Sequence, residues 1–164
     1  MAVNGDGSEV ALAAGNILKI YELISGTYQF SQDLTLALDI RGIEISRDST
    51  FLVVGMKSGA LEVYQKIGGI YTFFQNLSTG GGDQEGIYMS DDNLKLVVGD
   101  TNGLVRIYDY LVGVFTQSQN FTLPDIIRTV KLVNTNLMVS GEELIHFYEW
   151  DGSSYAFTMT IDEG

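Results

Sequence analysis

Three landmarks recur four times along this chain at one spacing, and that period limits the fold more than any other feature. The first is a run of small residues leading to Gly: Ala13-Ala14-Gly15, Val53-Val54-Gly55, Val97-Val98-Gly99 and Val139-Ser140-Gly141. These glycines stand 40, 44 and 42 residues apart. The second ends in Tyr and a polar residue: Ile20-Tyr21-Glu22, Val63-Tyr64-Gln65, Ile107-Tyr108-Asp109 and Phe147-Tyr148-Glu149, with tyrosines 43, 44 and 40 apart. The third is an aromatic seven residues after each Tyr: Tyr28, Tyr71, Phe115 and Tyr155. A period near forty marks one supersecondary unit that buries its apolar face only by stacking on its neighbours.

Within a unit the pattern is that of short strands. Phe51-Leu52-Val53-Val54 is a continuous apolar run, as in a strand covered on both faces, and Leu61-Glu62-Val63-Tyr64-Gln65 alternates with period two. Turn residues punctuate both: Met56-Lys57-Ser58-Gly59 and Asp100-Thr101-Asn102-Gly103 before the Tyr strand, then Ser25-Gly26, Gly68-Gly69, Gly113 and Gly152 after it. A further strand, such as Gly42-Ile43-Glu44-Ile45-Ser46, precedes each apolar run, and a fourth, such as Tyr71 to Asn76, follows the second turn. No apolar spacing of three and four is sustained, so helices are not expected. An immunoglobulin-type sandwich would give short strands without a period near 42. The expected fold is an all-β propeller of four four-stranded antiparallel blades, at about 1–38, 39–80, 81–123 and 124–164.

The stretch from Met89 to Asp109, through Ser90-Asp91-Asp92-Asn93, Val97-Val98-Gly99-Asp100 and Ile107-Tyr108-Asp109, resembles the WD-repeat superfamily, with Tyr-Asp in place of Trp-Asp. The Gly-His opening of that family is missing and the single His146 lies on a different strand, so the family's buried His-Ser-Asp-Trp network cannot form. Two segments, Val3 to Gly15 around Asn4-Gly5-Asp6-Gly7-Ser8-Glu9 and Phe147 to Tyr155, look more like FG-GAP repeats of integrin-like surface proteins. The likeness to WD-type blades implies seven or eight blades per ring. The first unit starts inside its first strand and the last ends with its fourth strand, so no strand is left to clasp a ring. The chain is therefore expected to be a segment of a larger propeller, with pairing of two copies into an eight-blade ring as the alternative.

Charge narrows the partners. Lys and Arg number 9 against 21 Asp and Glu, a net charge of -12. Such a surface repels phosphate backbones and anionic lipid, so neither nucleic acid nor membrane insertion is expected. Cysteine is absent, which removes disulfides and thiolate metal sites. No apolar run reaches the roughly 20 residues of a membrane span. The start, Met1-Ala2-Val3-Asn4-Gly5-Asp6, lacks the basic and apolar regions of a signal peptide, so the chain is read as cytosolic or as lacking a leader that was removed.

Candidate chemistry is sparse. Asn4-Gly5-Asp6-Gly7-Ser8-Glu9 has oxygen side chains at alternate positions, as a calcium loop does, but is too short and is read as a hairpin turn, like Asp91-Asp92-Asn93 and Asp83-Gln84-Glu85. His146 has no partner spacing for a metal or a Ser-His-Asp arrangement, and no basic residue follows Gly80-Gly81-Gly82 to make a phosphate cradle. Tyr21, Tyr64, Tyr108 and Tyr148 are read as packing between blades. Asn76-Leu77-Ser78 and Asn120-Phe121-Thr122 are glycosylation sequons 44 residues apart, which makes Asn76 and Asn120 the modification candidates and leans toward an extracellular or cell-surface setting. No catalytic residue, cofactor or metal is assigned. The expectation is a non-enzymatic module binding other proteins or copies of itself, against an intracellular WD-type scaffold or a calcium-dependent or enzymatic propeller.

Overall fold

The computed structural model describes residues 1–77 and 81–162. They form sixteen strands in four antiparallel sheets, each with its strands in sequence order. The first sheet holds β1 (Ala2–Val3), β2 (Glu9–Ala14), β3 (Ile17–Ile24) and β4 (Thr27–Thr35). The second holds β5 (Ile40–Ile45), β6 (Phe51–Met56), β7 (Leu61–Ile67) and β8 (Ile70–Asn76). The third holds β9 (Gln84–Met89), β10 (Lys95–Asp100), β11 (Leu104–Leu111) and β12 (Val114–Thr122). The fourth holds β13 (Thr129–Val133), β14 (Asn136–Ser140), β15 (Leu144–Trp150) and β16 (Tyr155–Asp162). No α-helix occurs among the described residues, and a single 3-10 turn, Lys57–Gly59, replaces a plain hairpin between β6 and β7.

The sheets stack in order, with consecutive first strands closest: β5 lies against β9 and β9 against β13. Three apolar seams result. Leu18, Ile20, Leu52, Val54 and Tyr64 fill the first, Phe51, Val63, Leu96, Val98 and Tyr108 the second, and Val97, Ile107, Leu137, Val139 and Tyr148 the third. Each middle sheet thus feeds alternate residues of one strand into opposite seams, which is why β6 is buried along its whole length. Among the described residues no buried cluster joins the fourth sheet to the first.

Two local devices repeat. At the rim, Ser46 Oγ accepts the N–H of Phe51 and Asp48 Oδ1 accepts that of Thr50; Ser90 and Asp92 do the same for Lys95 and Leu94. Asn4 and Asp6 do it for Glu9 and Ser8. Between the third and fourth strands of every sheet the register slips by one residue, at Ile20/Tyr21, Val63/Tyr64, Ile107/Tyr108 and Phe147/Tyr148. This β-bulge moves the residue two beyond the slip to the opposite face of the outer strand.

Candidate interaction surfaces

The seams show what these sheets bind best, which is each other. Opposite the bulges stand Gln32, Gln75 and Gln119, paired with Ile20, Val63 and Ile107. The bulge turns each Gln toward the next sheet, where its amide brackets one residue of the neighbouring outer strand. Gln32 Nε2 donates to the Tyr71 carbonyl at 2.8 Å while its Oε1 accepts the Tyr71 N–H at 2.8 Å. Gln75 does this to Phe115 and Gln119 to Tyr155, at 2.8–3.0 Å. Three seams therefore carry one clasp. The glutamines stand 43 and 44 residues apart, a fourth periodic signal that the landmark reading passes over.

Each seam adds its own rim pair. Lys66 Nζ reaches Glu9 and Glu22 at 2.8 Å, Tyr110 packs edge-on to Phe51 at 5.3 Å, and Lys95 lies 4.7 Å over the Trp150 ring while pairing with Asp109 at 2.6 Å. Burial lowers the proton affinity of Lys66, but its bonds to Glu22 and Glu9 outweigh that and hold it above the usual lysine range. Charge is also buried where composition gives no hint: Arg106 pairs with Asp100 at 3.2 Å, both nearly inaccessible, inside the second seam. An alternating strand with Arg at a core position, Val105-Arg106-Ile107, is the signal that could have found it.

Among the described residues, two sheet faces lack a neighbour. On the first sheet Leu12 pairs with Lys19 as Val54 pairs with Glu62, yet Val54 is inaccessible and Leu12 is 41% exposed. Val3, Tyr21, Leu23, Tyr28 and Phe30 share that open side. On the fourth sheet Met138, Phe147 and Met159 pair in a row, with Ile145 and Ile161 beside them. Between the third and fourth sheets the rim opens into a groove of about 940 Å³, bordered by Tyr88, Lys95, Tyr110, Lys131 and Trp150.

Asn4 is buried and donates to Asp6, Ser8 and Ser49, so its loop is tied internally and to the second sheet's turn. Asp48 loses proton affinity despite burial, because Thr50, Asn93 and Ser46 donate to it; its carboxyl falls to about 2. Asp91 pairs with Arg47 across the second seam. Among the described residues no three His, Cys, Asp or Glu side chains converge as a metal site would require. Gly81 and Gly82 lie against the Asp100–Gly103 turn, and Gly80 lies outside the described residues. His146 is buried, its Nδ1 shared with Thr160 Oγ1 at 2.9 Å and its Nε2 without a partner among the described residues. Tyr64, Tyr108 and Tyr148 are buried in seams, while Tyr21 faces the open side of the first sheet. Asn76 and Asn120 are exposed at matching register, opposite Glu62 and Arg106; Ser78 of the first sequon lies outside the described residues. No described helix is long and apolar enough to cross a membrane.

No protein-family model matches the sequence, and no curated protein does. Among solved structures the chain resembles the β-propeller domain of Cps50 (Swd1) from Myceliophteria thermophila, with a TM-score of 0.79 at 12% identity. The likeness covers 99% of this chain and 57% of that one. It establishes a β-propeller fold, and this chain spans little more than half of that propeller's length.

Proposed function

We propose that this chain is a non-catalytic β-propeller module, with blades at about 1–38, 39–80, 81–123 and 124–164, whose open sheet faces and rim groove bind other proteins. One observation carries the reading. Residue positions that are inaccessible in the seams, such as Val54 and Tyr71, recur as exposed Leu12 and Tyr28 on the first sheet. A contiguous apolar sheet face of this kind marks an interaction surface. The likeness to the Cps50 (Swd1) propeller domain supports the blade architecture on which this reading rests. Photo-crosslinking in the native source tests it: p-benzoylphenylalanine in place of Phe30 or Phe147 should yield protein adducts, whereas the same group at exposed Thr116 should not. Absence of adducts at both open faces refutes the reading.

A second setting is favoured by the exposed pair Asn76 and Asn120. Glycans there would project from matching places on two blades and fit a surface or extracellular assembly. Intact-mass measurement of the native protein decides it, since unmodified asparagines at both positions remove the support.

A further inference from the structure

The three seams provide a template against which the open faces can be compared. On the receiving side the first sheet keeps the seam chemistry. Tyr28 pairs with Leu23 in the register that pairs Tyr71 with Lys66, so its N–H and C=O sit on the free edge of β4. Its hydroxyl donates to the Gly7 carbonyl at 2.6 Å, as that of Tyr71 does to Ser49. The ring is thus held as in a seam, with nothing packed upon it. Tyr28 is 46% exposed where Tyr71, Phe115 and Tyr155 are at most 6% exposed.

On the donating side the fourth sheet departs from the template. Its residue opposite the bulge is Met159, paired with Phe147, where the other sheets carry Gln. The close-approach pairs Gly42↔Gly55 and Gly86↔Gly99 become Thr129↔Ser140. A Cβ at Gly99 would lie 2.2 Å from Ile127, just ahead of β13, so side chains at that pair would hold an incoming blade away. At the rim Leu23 takes the place of Lys66, Tyr110 and Trp150, and would meet Asn136, which stands where Glu9, Phe51 and Lys95 provide partners. Two copies would also bring together two chains of charge -12.

We propose, resting on the interaction reading above, that the open face of the first sheet receives a four-stranded blade from outside this chain. That blade carries a carboxamide side chain opposite Tyr28 and an apolar residue opposite Leu23, and the fourth sheet of a second copy is not that partner. The same interface is built three times within the molecule, and among the described residues its receiving half is present a fourth time without its donor.

The test gives the chain the missing donor. Sedimentation velocity is compared for the native chain and for a variant carrying Met159→Gln, Thr129→Gly and Ser140→Gly. Head-to-tail association of the variant should be about ten- to a hundred-fold tighter than that of the native chain, as two new hydrogen bonds and restored close approach imply, and Leu12→Lys should reverse it. Unchanged association overturns the proposal. So does native association as tight as the variant's and sensitive to Leu12→Lys, which would make a second copy the occupant. Should the triple variant lose its strand spectrum, Met159→Gln alone, at an exposed position, carries the same comparison with an expected gain of about ten-fold. Failure here with crosslinks still formed at Phe30 sinks the partner assignment and leaves the interaction reading standing. Association of the variant with no crosslinks in the native source does the reverse.

Discussion

Gly55 lies flat against Gln84 across the second seam, so close that a Cβ at position 55 would stand 2.5 Å from the Gln84 carbonyl oxygen and 2.7 Å from its Cβ. The obstacle is backbone of the first strand of the next sheet, which cannot swing away. Gly55→Ala is therefore expected to cost about 2–3 kcal/mol, seen as a lower urea midpoint. Ala13, at the matching position of the first sheet, is exposed and already carries that methyl. A G55A midpoint within error of the parent would show that the seam is looser than its geometry.

The glutamine clasps should be additive. Gln75→Ala leaves the N–H and C=O of Phe115 without partners in a half-buried place, and Gln119→Ala does the same to Tyr155. Each is expected to lower stability by about 1–3 kcal/mol, and the double variant by the sum, because the two clasps lie in different seams. Strong non-additivity in denaturant unfolding would indicate that the seams do not act independently.

Val112 opens the turn between β11 and β12 at φ 51, fully exposed, where the matching turns use Ser25 and Gly68. A β-branched residue in the left-handed region is strained, and both central residues of this hairpin turn need positive φ. Val112→Asn should raise stability by about 1 kcal/mol and shift the thermal midpoint upward by a few degrees. No gain would mean that the strain is already relieved elsewhere in the turn.

Glu44 supplies a pH dependence. Burial against the third sheet pushes its carboxyl up to about 7, in spite of the Met89 N–H and the charge of Lys131, which favour the anion. In the unfolded chain the same group titrates near 4.5. Below that value it is protonated in both states and has no effect. Between 4.5 and 7 the folded state holds a proton the unfolded state has lost, so the group's contribution worsens as pH rises and is constant above 7. Glu44→Gln should accordingly stabilise the protein by about 3 kcal/mol at pH 8, and the difference should vanish near pH 4. Equal differences at the two pH values in paired urea titrations would exclude this assignment.

The four-sheet propeller was legible because its signals are local. Gly at turns reports the sign of φ, as at Gly26, Gly68, Gly113 and Gly152, and alternation reports the strand period, whatever packs around them; Gly55 and Gly99 lie inside β6 and β10 and answer to close approach of the next blade instead. The seam tyrosines followed from the same period, although Tyr21 shows that periodicity assigns a residue to a layer and not to a covered one. The clasp was not legible. Gln32, Gln75 and Gln119 read as exposed polar residues of outer strands until the bulge, which leaves no mark in composition, turns them toward the neighbouring sheet.

By itself the sequence determined the number of units, their strand order and the acidic surface, since these depend on backbone preference and on counting charge. Tertiary structure alone decided which polar groups are buried, Glu9 and Arg106 among them, and which apolar faces stay bare. Burial belongs to a pair of facing surfaces, and a residue carries no local record of what will stand opposite it.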